Sequence, residues 1–130
     1  MAAIYLDSSA IVKLAVREPE SEALRRYIRR RRPLVSSALA RTEVLRALIP
    51  GGEEAMSAGR GVLARVDLIR VNDRVLNNAG SLLPVDLRSL DAIHLATAAR
   101  LGAELAEIVT YDDRMAATAQ KMGYRVSAPK

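Results

Sequence analysis

The chain has 130 residues, a formal charge of +5, 50% hydrophobic and 27% charged residues, and no cysteine, tryptophan or phenylalanine. That length supports one domain with a real core, and the lack of cysteine excludes a disulfide framework, a thiolate zinc centre and a cysteine nucleophile. Four tyrosines are the only large aromatics, so a module that reads nucleic acid by base stacking is disfavoured, and the positive charge points to a polyanion gripped through its backbone.

In chain order, AAIYL predicts a short buried strand, and SAIVKLAVR a helix with Ser8 or Ser9 as its cap. Asp7 and Lys13 interrupt this apolar run, so a signal peptide is not expected. No stretch approaches the roughly 20 apolar residues of a membrane helix, and a cytoplasmic location is expected. EPESEALRRYIRRRR predicts a helix that starts at Pro19 and Glu20 and ends in arginines, which suit the helix dipole. PLVSSA predicts a strand, and ALARTEVLRALI a helix stopped by Pro50-Gly51-Gly52. Residues 53–65 carry a helical pattern weakened by Gly59 and Gly61.

DLIRV then predicts a strand and DRVLNNAGSLL a helix. LRSLDAIHLATAARLG is the clearest helix, with Ser89 as N-cap and Gly102 just past its end. EIVTYD predicts a strand ending in an acid, DRMAATAQKMG a helix stopped by Gly123, and YRVSAP a last short strand. Such alternation predicts an α/β fold in a single domain, a parallel sheet with helices on both faces. Ligand sites in such sheets lie outside the carboxyl ends of the strands, so Asp7 and Asp112 should point into one crevice.

Four carboxylates stand where apolar neighbours make them awkward: Asp7 and Asp112 at strand ends, Asp91 in the first turn of the clearest helix, and Glu43 on a stripe with Leu39 and Ala47. Converging in a crevice, they would repel one another and lose hydration, so either some stay protonated or a cation neutralises them. Oxygen donors favour Mg²⁺ or Mn²⁺ over zinc. Each acid also has an ordinary role: Asp91 against a helix dipole, Glu43 paired with Arg46, and Asp112 or Asp113 as a helix cap. An acidic centre on a basic protein reads as a nuclease that cuts phosphodiesters with bound metal.

The remaining polar features carry less. His94, flanked by Ile93 and Leu95, reads as structural, with no identifiable partner for a general base. The arginine run, with Arg25, Arg29 and Arg32, and Arg88 before the clearest helix are candidate contacts to an RNA backbone, or else a solvated face. Ser8 and Ser9 lack a nucleophile elbow and a base, and no phosphate-cradling glycine loop occurs.

YLDSSAIVKL, TEVLRAL, LRSLDAIHLATAARLG and VTYDDRMAATAQKMGYRV, in this order and across nearly the whole chain, resemble the PIN-domain family and, within it, VapC-like toxins of toxin–antitoxin pairs. The resemblance implies a PIN domain over residues 1–130 and a Mg²⁺-dependent endoribonuclease whose quartet falls on Asp7, Glu43, Asp91 and Asp112. It implies hydroxyls near the metal at Ser9 and Thr110, a cognate antitoxin whose C-terminal segment covers the site, and a homodimer. The alternatives are a non-catalytic PIN-like module that binds RNA or protein, and a metal-dependent phosphatase.

Overall fold

Period-two alternation in AAIYL sends Ile4 and Leu6 to one side of a strand and Ala3 and Tyr5 to the other, with all four buried. A strand buried on both faces belongs in the middle of a sheet. In a computed structural model describing residues 2–130, that strand, β1 (Ala3–Leu6), is central. It is flanked by β2 (Leu34–Ser37) and β4 (Leu105–Val109), with β3 (Asp67–Ile69) and β5 (Val126–Ser127) at the edges. The order is β3-β2-β1-β4-β5, and every pairing is parallel.

Two apolar layers follow from this alternation. Ile4, Leu6, Leu34 and Val109 pack beneath α1 (Ser8–Ala15), α2 (Ser21–Ile28), α3 (Ala40–Leu48) and α4 (Gly52–Leu63). Ala3, Tyr5, Val35 and Ile108 face α6 (Ser89–Ala99) and α7 (Asp113–Lys121), and α5 (Asp73–Gly80) packs on α6. The single-domain α/β fold read from the sequence is present, and the strand order adds what the sequence could not show. The chain builds outward from β1 through β2 to β3, then returns to lay β4 on the other side of β1. The direction of winding reverses between β1 and β4, and the crevice opens at their carboxyl ends.

Helix boundaries depart from the sequence reading where side chains compete for backbone groups. Asp7, not Ser8 or Ser9, caps α1, its Oδ1 accepting from the Ala10 amide at 3.1 Å. Ser89 is the first residue of α6; the position before it is Arg88, whose side chain makes no cap bond. The second helix ends at Ile28, short of the arginine run. There Arg32 Nη1 donates to the Ile28 and Arg31 carbonyls at 3.0 and 2.9 Å, and the Arg31 guanidinium lies 3.9 Å over the Tyr27 ring. These arginines therefore cover the open carbonyls at the end of α2.

Pro50 and the glycines after it do not scatter α3 and α4. A single 3₁₀ turn, Ile49–Gly51, joins them, and Gly52 turns the chain at φ 76°. Gly59, which weakened the helix reading of residues 53–65, is needed for the packing. A Cβ there would meet Leu48 Cδ1 at 2.4 Å, whereas at Gly61 it would meet nothing. Gly59→Val should therefore destabilise the fold by about 1–3 kcal/mol through overpacking. Gly61→Ala should stabilise it by about 0.5–1 kcal/mol through helix propensity. Urea unfolding of the two variants beside the parent checks both signs.

Candidate active site

The crevice at the end of β1 and β4 is a cleft of about 340 Å³ lined by Asp7, Ser8, Ser9, Glu43, Arg88, Asp91, His94 and Asp112, with Ser89 and Leu90 at the start of α6. All four sequence-predicted acids thus reach one cleft. Asp7 follows β1, Glu43 comes from the first turn of α3, Asp91 from the first turn of α6, and Asp112 precedes α7. They do not form a tight cage: among the described residues no group of three or more His, Cys, Asp or Glu is close enough to hold an ion.

Asp7 is only 4% exposed. Its Oδ1 accepts from the Ser9 hydroxyl at 2.6 Å as well as from Ala10 N, and its Oδ2 accepts from the Thr110 hydroxyl. Burial pushes its carboxyl above the ordinary value, opposed by the bonds from Ser9 and Thr110, the charge of His94 and the Ala10 amide. Ser9 Oγ in turn accepts from the Tyr111 amide at 3.0 Å, and Thr110 Oγ1 from the Asp112 amide at 3.1 Å. The two hydroxyls picked from the sequence therefore clamp the carboxylate and fix the loop that carries Asp112. That acid caps α7 through Oδ1, which accepts from Met115 N at 3.0 Å, so its ordinary role and its place in the cleft coexist.

Glu43 does not pair with Arg46. Its Oε1 accepts from Ser8 Oγ and from His94 Nε2, each at 2.6 Å. Burial raises its carboxyl, but the bonds from His94 and Ser8 outweigh that and hold it below the ordinary value. Asp91 goes the other way, raised by burial and then by the charge of Asp112, with Arg88 and His94 in opposition. Arg88 Nη2 donates to Asp112 Oδ2 at 3.1 Å, while its Nε stands 3.5 Å from Asp91 Oδ2. The latter is an ion pair beyond hydrogen-bond reach, so Asp91 Oδ2 is buried without a hydrogen-bond partner.

His94, read as structural, is buried and lines the cleft. It lies one turn after Asp91 on α6, and that i+3 spacing was the available signal, since it sets both side chains on one face. Its partners, Tyr5 from the first strand and Glu43 from α3, were out of reach of a linear reading. Arg25, Arg29 and Arg32 are not brought to the acids. With Arg65 they border a separate groove floored by Leu14, Ile28, Leu34, Val62 and Val66. Leu34 begins β2 and Val66 precedes β3, so this groove lies at the amino edge of the sheet, a strand's length of about 13 Å from the cleft side. Of the four arginines singled out, only Arg88 stands at the acids.

A five-stranded parallel sheet with a polar, acid-lined cleft at its switch point defines an α/β protein whose ligand site lies at the carboxyl ends of its strands. Residues 4–121 match the PIN domain model, and the chain belongs to the PIN-domain family. Within it the chain is a VapC-like member: it is 67% identical to Ribonuclease VapC46 of Mycobacterium tuberculosis over 99% of both chains. Its fold is similar to the crystal structure of VapC20 of the same species, a sarcin-ricin loop cleaving toxin, with a TM-score of 0.77, 18% identity and 97% and 99% of the two chains covered. It also resembles a chain of a toxin–antitoxin complex from Klebsiella pneumoniae, with a TM-score of 0.73, 20% identity and 98% of each chain covered. At those identities the two structures speak for the fold, and the resemblance read from the sequence is borne out.

Glu43 and Asp7 should give opposite dependences of stability on pH. Glu43 is held below 4.5, so its stabilising contribution is complete above that value and is lost as pH falls through the lower folded-state value. Asp7 is held above 3.8, so its ionisation weakens the fold as pH rises through the raised value. In denaturant unfolding across this range, the penalty of Glu43→Gln is expected at neutral pH and fades in acid. Asp7→Asn is expected to gain on the parent as pH rises.

Proposed function

We propose that this chain is an endoribonuclease that hydrolyses RNA phosphodiesters with Mg²⁺ or Mn²⁺, the toxin of a toxin–antitoxin pair acting in the cytoplasm. The observation that carries it is Asp91 Oδ2, buried without a hydrogen-bond partner in a cleft shared with three other acids. The donor set suits a hard divalent cation: Asp7, Glu43, Asp91 and Asp112 offer carboxylate oxygens, and the nitrogen ligand nearby, His94, is already engaged on both ring atoms. When bound, the cation supplies a more acidic water and neutralises charge at the scissile phosphate.

The chain's own residues supply the rest. Asp7 and Asp112 are held in fixed orientations by the bonds that cap α1 and α7. Arg88, whose side chain is 64% exposed, exchanges its carboxylate partners for an RNA phosphate, because a pair that open to solvent is worth little. Arg25, Arg29 and Arg32, at the far edge of the sheet, contact only the flanking backbone of a longer RNA.

An antitoxin and a second copy of the toxin complete this reading. Support comes from the toxin–antitoxin complex that the fold resembles and from the net positive charge, which suits an acidic partner segment. Leu83 and Val85, 71% and 93% exposed in the loop before α6, offer apolar surface a few residues ahead of Arg88 and Leu90 in the chain. Among the described residues no helix is long and apolar enough to cross a membrane.

The acids' failure to form a tight cage is the one observation favouring a non-catalytic PIN-like binding module, and activity separates the two. Purified protein incubated with structured RNA and Mg²⁺ should cleave it. EDTA should abolish cleavage, and Asp7→Asn should lower it by ~100-fold or more, beyond what loss of a ligand's outer partner costs. Cleavage that survives EDTA or the substitution overturns the metal reading, and RNA binding without cleavage favours the binding module.

The arginines give a second contrast. Arg88→Ala should slow cleavage of a short RNA about tenfold, the loss of roughly 1.4 kcal/mol of interaction. Arg29→Ala combined with Arg32→Ala should leave that rate unchanged and lower only the salt dependence of binding to a long RNA.

A further inference from the structure

Glu43 is held by a chain of side chains that runs through the interior. His94 is 2% exposed and engaged on both ring nitrogens: the Tyr5 hydroxyl is 2.7 Å from Nδ1, and Glu43 Oε1 is 2.6 Å from Nε2. The partners determine who donates. The Glu43 Oε1 is an acceptor shared with the Ser8 hydroxyl, so Nε2 carries a proton and donates to it. Nδ1 and the Tyr5 hydroxyl share the second bond, which fixes the plane of the ring. Tyr5 is wholly buried, so its hydroxyl is kept from water and has the imidazole as its partner. The Tyr5 and His94 rings also meet edge to face, 5.9 Å apart at 80°, so the imidazole is located by shape as well as by bonds.

Three elements meet in this chain: Tyr5 on β1, His94 on α6 and Glu43 on α3. Ser8 Oγ donates to the same Oε1 that takes the His94 proton. Both bonds fall on one oxygen, so Oε2 is left without a hydrogen-bond partner among the described residues. That is the division expected of a ligand carboxylate, with one oxygen spent on orientation and the other on the ion.

We propose that His94, oriented by the Tyr5 hydroxyl, is a positioning residue that fixes the Glu43 carboxylate and presents its free oxygen to the divalent cation. Tyr5 and His94 touch neither the ion nor RNA; they act through Glu43. The assignment rests on the metal reading above.

The test measures Mn²⁺ binding by titration calorimetry on the RNA-free chain, so it does not depend on turnover. His94→Leu is expected to weaken binding about tenfold, within the ~10–100-fold range for an outer partner of a ligand, and Tyr5→Phe by several-fold. His94→Gln keeps an N–H donor near the Nε2 position and should stay within about threefold of the parent. Added to Glu43→Gln, His94→Leu should cost nothing further, because its route to the ion is already cut.

Variants that lower Tm yet bind Mn²⁺ as the parent does would make the pair mere packing. A further loss on the Glu43→Gln background would place its action elsewhere. ¹⁵N NMR of the imidazole should show a proton on Nε2, and a bare Nε2 overturns the proposal even if every variant fails to fold. A parent chain that binds no Mn²⁺ overturns the metal reading itself, and this inference with it.

Discussion

The Asp7 carboxylate, buried at the seam between β1 and β4, is the constraint from which the rest of the cleft follows. A charge removed from water costs several kcal/mol unless donors replace its hydration. Asp7 finds donors from two directions. Ser9 and the Ala10 amide come from the helix it starts, and the Thr110 hydroxyl comes from the end of β4. The second direction exists only because β4 lies beside β1, which is the reversal in strand order. The same Thr110 oxygen accepts from the Asp112 amide, so one hydroxyl sets the positions of two acids. The carboxylate is tolerated because the sheet's topology supplies its partners, and the site forms where the topology does so.

The remaining acids divide their charge instead of pooling it. Glu43 is balanced by a histidine and a serine in the interior. Asp91 and Asp112 share Arg88, which lies mostly in solvent. The first arrangement is anchored on a buried, well-bonded histidine, and the second on an exposed, exchangeable arginine. One side of the cleft is thereby fixed and the other is free to trade partners.

The alternation of strand and helix, the two-faced burial of AAIYL and the four acids were all legible in the sequence, because each is a local pattern or a residue out of keeping with its neighbours. Caps were misread because proximity in sequence made Ser8 and Ser9 look sufficient for α1, whereas the carboxylate before them accepts from Ala10. Gly59 looked like a weakness because propensity is a property of one helix, and the reason for a glycine lay on another, at Leu48. The arginine run was read as the end of the helix, but the helix stops at Ile28 and Arg32 beyond it folds back onto the Ile28 carbonyl. His94 shows the limit most plainly: Tyr5 lies 89 residues away in sequence, and no spacing rule reaches that far.

Asp7 and Asp112 each serve twice, as an acid of the cleft and as the cap of a helix. Asparagine caps helices about as well as aspartate does, and one nucleotide change separates their codons. On the proposed function, the chain therefore has a one-step path to a silent form that keeps both helix caps. A cell burdened by such an activity has a shorter mutational path to disarming the protein than to destroying it. A disarmed copy of this kind would keep the outer surface of the active one, so any partner of the active form would be divided between the two.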